Sequence, residues 1–251
     1  MSEGVHDQVA QYYDDHVPRK LRDFLHGNLR VDAAWRNIAG HPHEPARVLE
    51  VGCGIGYVSA RMRECWPAAD IVAVDLSPTS IEVAERLFGD LGVRFGCARL
   101  EDFALDAEFD LIVLMDLYEH IEQSERDDFH AAVARVMAPA GAVFLSFPTP
   151  EYQAHLRANE PHKIQPVDED ISAADLERFA ADCEAKLENY RKISVWRRWD
   201  YAHAWLQRIV EPPLSRVEPP VREPDHEGHS RRTELVMQRL GAQWVEAADR
   251  S

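Results

Sequence analysis

"RVLEVGCGIGYVSARM", Arg47 to Met62, sets an apolar run, three glycines at alternate positions (Gly52, Gly54, Gly56) and a helix-forming stretch in direct succession, with one acid, Glu50, inside the run. Such a run reads as a strand buried on both faces, and glycines behind it allow close approach of a ligand to the backbone because they lack Cβ. Working outward, the same alternation repeats, with expected strands at Val48 to Val51, Ile71 to Leu76, Val93 to Cys97, Leu111 to Met115 and Ala142 to Phe147. Helical stretches lie between them. Strand and helix in alternation predict βαβ units, hence an α/β fold with a mostly parallel sheet covered on both faces.

Local signals sharpen the elements. In "SPTSIEVAERLF" Ser77 is the expected N-cap and Pro78 the first helical residue, with Ile81, Ala84 and Leu87 at helical spacing. "SERDDFHAAVARVM" begins with a capping-box pattern, Ser124 and Asp127, ahead of a stripe of Phe129, Val133, Val136 and Met137. Residues 1–45 are expected to form a helical cap, whose second helix carries Leu21, Phe24, Leu25 and Leu29 on one side. Residues 46–251 would form the main domain, adding a capped helix in "SAADLERFAADC" and strands in "KLENYRKISVW" and "ELVMQRL". Between those strands, residues 197–232 read as an insertion with a helical piece, "DYAHAWLQRIV", and a proline-rich tract. If the strand before it runs parallel to its predecessors, the insertion emerges at the carboxyl edge of the sheet, as a lid, an oligomer contact or a surface excursion.

Composition narrows the partners. A formal net charge of -16 over 251 residues repels phosphate backbones and anionic membranes at long range, although "SVWRRW" is a local basic patch. No stretch approaches the roughly 20 apolar residues a membrane span needs. Four scattered cysteines form no metal or disulfide pattern and fit a reducing compartment. The expectation is a cytoplasmic protein that engages neither nucleic acid nor membrane, holds no metal, and is compatible with a homodimer.

A dinucleotide fingerprint would need its third glycine where Tyr57 stands. The observed spacing, with Glu50 two residues ahead of Gly52, instead resembles motif I of class I S-adenosylmethionine-dependent methyltransferases. Asp75 in "IVAVDLSP" ends the next strand, where a carboxylate can accept both ribose hydroxyls. "CARLEDF" matches the position at which the family places an acid near the adenine, with Asp102 preferred and Glu101 second. "FDLIVLMDLYEHI" and "RVMAPAGAVFLSFPTP" resemble later motifs of its small-molecule members, over about residues 46–150. The resemblance implies a Rossmann-like, doubly wound, mostly parallel seven-stranded sheet, and S-adenosyl-L-methionine as cofactor held by Glu50, Gly52, Gly54, Gly56, Asp75, Leu76, Glu101, Asp102, Met115 and Tyr13.

It also implies methyl transfer to a small-molecule acceptor, oxygen slightly ahead of nitrogen, with carbon admitted. Similar Glu-His pairs in coclaurine-type N-methyltransferases and ubiquinone-biosynthesis O-methyltransferases suggest His120, assisted by Glu119, as a base. A histidine at that position would equally serve to cap the loop. Acceptor contacts are expected from Asp116, Tyr118, His162, Gln165, Tyr201 and Trp205. A divalent cation on Asp116, Glu119, His120 and His162 is a minor alternative. The rival functions are a non-catalytic S-adenosylmethionine-binding interaction protein and a dinucleotide-dependent oxidoreductase.

Overall fold

A computed structural model describes residues 10–209 except 104 and 106. Residues 10–15 are helical. Two helices follow, α1 (Val17–His26) and α2 (Leu29–Ile38). They separate at Gly27, where Asn28 starts the second by accepting from the backbone N–H groups of Arg30 and Val31. This break redirects the expected apolar stripe, leaving Leu25 73% and Leu29 60% exposed.

The main unit continues through β1 (Arg47–Val51), α3 (Tyr57–Cys65), β2 (Asp70–Asp75), α4 (Pro78–Phe88), β3 (Arg94–Cys97), β4 (Phe109–Met115) and α5 (Arg126–Val136). After these come β5 (Met137–Pro148), α6 (Pro150–Asn159), α7 (Ala173–Asp182), β6 (Lys186–Ile193) and β7 (Tyr201–Gln207). Seven strands form one sheet in the order β3-β2-β1-β4-β5-β7-β6. The first five are parallel, and β7 runs antiparallel to both β5 and β6. The order reverses between β1 and β4, the place where open α/β sheets leave a crevice at their carboxyl ends.

Both faces are buried because successive β4 residues serve opposite cores. Ile112 and Leu114 pack with Phe129, Val133, Leu176 and Phe179 from α5 and α7. Leu111 and Val113 pack with Ala34 and Ile38 of α2 and Met62 of α3. Ser77 caps α4 as expected, and Ser172 with Asp175 closes a capping box on α7. The box expected at Ser124 is not formed: α5 starts from Glu125 without a side-chain cap.

The segment after β6 departs from the expectation. "YAHAWLQ", Tyr201 to Gln207, is strand, not helix, because it has partners on both sides: Trp205 stands opposite Phe144 of β5 and Asn189 of β6. β6 does run parallel to its predecessors, but only the turn 194–200, with "WRRW", sits at the carboxyl edge; β7 then carries the chain back to the start of β5, where Arg208 N–H bonds to the Gly141 carbonyl. The expected strand "ELVMQRL" and the rest of the insertion lie outside the described residues. Among the described residues no helix is long and apolar enough to cross a membrane.

Candidate functional site

A cavity of about 290 Å³ opens at the carboxyl ends of β1, β2 and β4. The glycine loop forms its floor. Gly52 and Cys53 donate their N–H groups to the Val74 carbonyl at 2.8 and 3.0 Å, fastening the loop to β2. Asp75 then joins the two ligand-facing turns, one carboxylate oxygen accepting from Gly54 N–H at 2.7 Å and the other from Ser77 N–H at 2.9 Å. Gly54 has φ +54° and Gly56 φ +78°, a backbone region that side chains strain. A Cβ on Gly56 would lie 2.8 Å from the Phe95 ring, so this third glycine serves the packing of α3 on the sheet.

Glu50 lies buried on the cavity wall, accepting a hydrogen bond from the Ser59 hydroxyl. Burial pushes its carboxyl up to about 8, against the pull of that hydrogen bond. The residues 10–26 lie over the same end. Asp14 accepts from the Ser77 hydroxyl and Thr79 N–H, and Lys20 donates to Ser80 at 3.2 Å with its ammonium 5.3 Å from the Tyr13 ring.

The opposite end is built on the turn after β4. Asp116, at φ +50°, is pinned by its N–H to the Ser146 carbonyl and paired with Arg30 of α2. Arg30 lies 5.8 Å from the Tyr201 ring. His120 donates from Nδ1 to the Val167 carbonyl at 2.7 Å. A carbonyl can only accept, so in the neutral ring Nδ1 carries the proton and Nε2 presents a lone pair. Burial lowers the His120 pKa, opposed by the bond to Val167 and the charge of Asp168. Glu119 Oε1 lies 3.8 Å from Nε2, and its carboxyl is raised well above the usual range, first by burial and then by Asp116. The side-chain atoms Arg30 Nε, Asp116 Oδ1, Glu119 Oε2 and Gln165 Oε1 are buried without a protein partner.

The expected residues divide accordingly. Glu50, Gly52, Gly54, Asp75, Leu76, Glu101, Met115, Tyr13, Asp116, His120 and Gln165 all line the cavity. Gly56 and Glu119 stand just behind the wall. Glu101, paired with Arg99 at 2.9 Å, is on the wall, whereas Asp102 is exposed and is not among the lining residues. Tyr118 is in the core, its hydroxyl 2.9 Å from His130 Nε2 and its ring stacked on Phe179, and so cannot meet an acceptor. His162 is exposed on the short turn Pro161–Lys163, apart from Asp116, Glu119 and His120. Tyr201 sits beside Arg30. Trp205, four positions further along β7 and not on the cavity wall, donates to Asn37 at 3.0 Å and packs on Phe144. Lys20, Arg30 and Asp168 were not legible as site residues, since charged residues on helices and loops carry no spacing signal. A different set, Asp127, His130 and Asp182, clusters closely enough for a metal, but both His130 nitrogens are hydrogen-bonded and Arg178 contacts both carboxylates.

Part of the chain is similar in sequence to known proteins, and its fold to solved ones. Residues 48–141 match the family model described as "Methyltransferase domain". The malonyl-[acyl-carrier protein] O-methyltransferase of Acetivibrio thermocellus is 38% identical over 106 residues, 41% of this chain and 34% of that protein. The ubiquinone biosynthesis O-methyltransferase of Xylella fastidiosa is 32% identical over 143 residues, 55% of this chain and 54% of that one. These matches span between a third and just over half of the curated relatives' length. The solved DhpI-SAH complex shares the fold at TM-score 0.63 and 20% identity, over 82% of this chain and 98% of that one.

Proposed function

We propose that residues 48–141, which match the methyltransferase-domain model, form a domain of the class I, S-adenosylmethionine-dependent kind, and that the cavity binds S-adenosylmethionine over the glycine loop and a small acceptor against His120. The wall suits this ligand. Glu50 offers a carboxylate to a cationic group, Lys20 an ammonium to the ligand's carboxylate, and Asp75 and Glu101 offer acceptors to hydroxyl and amino groups. Bound there, the cofactor supplies a methyl carbon already activated on a sulfonium, so the protein contributes alignment and, for a protonated acceptor, a base.

One observation carries the reading: His120, on the cavity wall, is held as the Nδ1–H tautomer by the Val167 carbonyl, which leaves Nε2 the unprotonated nitrogen of a neutral ring. This is the form that can take a proton from a hydroxyl. The two curated relatives bear O-methyltransferase names, which supports an oxygen acceptor here. Nitrogen is the second reading, favoured by the unpartnered Asp116 Oδ1, which would accept from an N–H group. Arg30, Asp116, Gln165 and Tyr201 frame the acceptor end.

Incubation with isotopically labelled S-adenosylmethionine and a metabolite extract tests this. Wild type is expected to label a small molecule, and His120→Asn to lose about 100-fold or more in rate while binding the cofactor normally. Cofactor binding without any labelled product would favour the non-catalytic interaction protein. Undiminished transfer by His120→Asn would remove the base.

A further inference from the structure

The loop 165–169 contributes a carboxylate, Asp168, that stands beside His120 behind the cavity wall. Its Oδ1 lies 3.4 Å from His120 Nδ1 and accepts from Gln153 of α6 at 3.1 Å. Its Oδ2 accepts from the Gln165 N–H at 3.0 Å, and the Gln165 side chain lies on the cavity wall. The same loop supplies the Val167 carbonyl to His120, and its Glu169 N–H bonds to the Glu119 carbonyl. One side chain therefore touches the base, the backbone of an acceptor-side wall residue and the helix behind them.

We propose that Asp168 is a positioning residue: it orients the His120 ring and stabilises the imidazolium that forms during methyl transfer. This rests on the reading of His120 as the base. An acceptor hydroxyl oxygen forms the bond to the methyl carbon, the carbon–sulfur bond breaks with its electron pair staying on sulfur, and the hydroxyl proton passes to His120 Nε2. The ring then carries a positive charge, and Asp168 faces the protonated Nδ1 edge. The other charged or titratable groups facing His120 are Glu119 on its own turn, Asp116 at the end of β4, Arg30 of α2 and Tyr13 of the N-terminal segment. Of the three carboxylates, Asp168 alone is within 3.5 Å of a ring nitrogen.

The test is the titration of His120 in the full-length, nitrogen-15-labelled protein, followed by long-range proton–nitrogen NMR and assigned by its loss in His120→Asn. The sign separates the two roles Asp168 could have. If it supplies the counter-charge, Asp168→Asn lowers the His120 midpoint by about one pH unit or more. If it only packs the loop, its loss admits water to a buried ring and the midpoint rises toward the ordinary histidine value. Asp70→Asn, at the amino end of β2, should leave the midpoint in place. Should Asp168→Asn not melt cooperatively, Asp168→Ser is measured with the same expectation. In the labelled-methyl assay Asp168→Asn should lower the rate about tenfold or more with cofactor affinity unchanged. An unchanged or raised midpoint overturns the proposal while leaving the base reading standing. A silent His120→Asn substitution removes the base reading while the Asp168–His120 pairing survives in the titration.

Discussion

Glu50 combines a cost with a use. Its carboxyl is buried and raised to about 8, so near neutrality much of the protein without ligand holds it protonated. The folded state then binds a proton that the unfolded chain has released, and the stability held at low pH declines as pH rises from the ordinary glutamate range toward 8. A cationic ligand would favour the carboxylate. Titration calorimetry of S-adenosylmethionine at pH 7 in buffers of different ionisation enthalpy should therefore show proton release, and affinity should rise with pH up to about 8. Glu50→Gln should abolish the release, weaken binding, and raise stability near neutrality by about 1 kcal/mol. Binding that releases no proton would show that Glu50 does not meet the ligand. The glycines separate by position in a similar way. Gly56→Ala meets the Phe95 ring at 2.8 Å and a left-handed backbone, and should lose about 1–3 kcal/mol of stability in denaturant. At Gly54 the nearest obstacle is the flexible end of Lys20, 3.2 Å from an added Cβ, so Gly54→Ala should cost about 1–2 kcal/mol of strain and further lower cofactor affinity. Equal affinity losses in the two variants would contradict that division.

At the scale of elements, the turn from β6 to β7 is organised around Asp200, whose buried carboxylate accepts from the N–H groups of Val195, Trp196 and Arg197 at 2.8 to 2.9 Å. Thr149 fastens the far side by donating to the Trp199 carbonyl at 2.7 Å, and Trp199 takes φ +57°. Three donors on one charged acceptor make the turn depend on that residue. Asp200→Ala should destabilise the fold by about 2–3 kcal/mol, measured by urea unfolding at constant m-value. A change below about 0.5 kcal/mol would mean that water replaces the carboxylate at no cost. The same region shows why a helix was expected where a strand formed. Tyr201 and Trp205 are four residues apart and read as one helical face, but β5 and β6 offer hydrogen bonds on both sides of this segment. Pairing with two neighbours outweighs a local propensity of a few tenths of a kcal/mol per residue.

For the molecule as a whole, the reversal of strand order and the overlying N-terminal residues enclose one end of the cavity, so ligand binding should couple to global stability. S-adenosylhomocysteine at about 100 times its dissociation constant should raise the melting temperature by roughly 5–10 °C, since a ligand that binds only the folded state adds about 2.7 kcal/mol. NAD should produce no shift: Asp75 on the wall opposes a pyrophosphate, and Gly56, preceding α3, serves helix packing. A shift with NAD matching that with S-adenosylhomocysteine would revive the oxidoreductase alternative.

The sequence by itself determined the parallel half of the sheet, the glycine loop, Asp75 and the turn carrying His120, because apolar periodicity, caps and glycine spacing are local and each follows from the chain's own geometry. What only the tertiary structure decided lies in contacts between residues far apart. That Glu101 and not Asp102 lines the cavity depends on how a loop packs, and the removal of Tyr118 to the core depends on Phe179 and His130 packing around it. The recruitment of Arg30 and Asp168 spans 86 residues to Asp116 in one case and 48 to His120 in the other. Charged side chains of this kind acquire a role from the partner that burial brings to them, and no spacing in the chain records that partner.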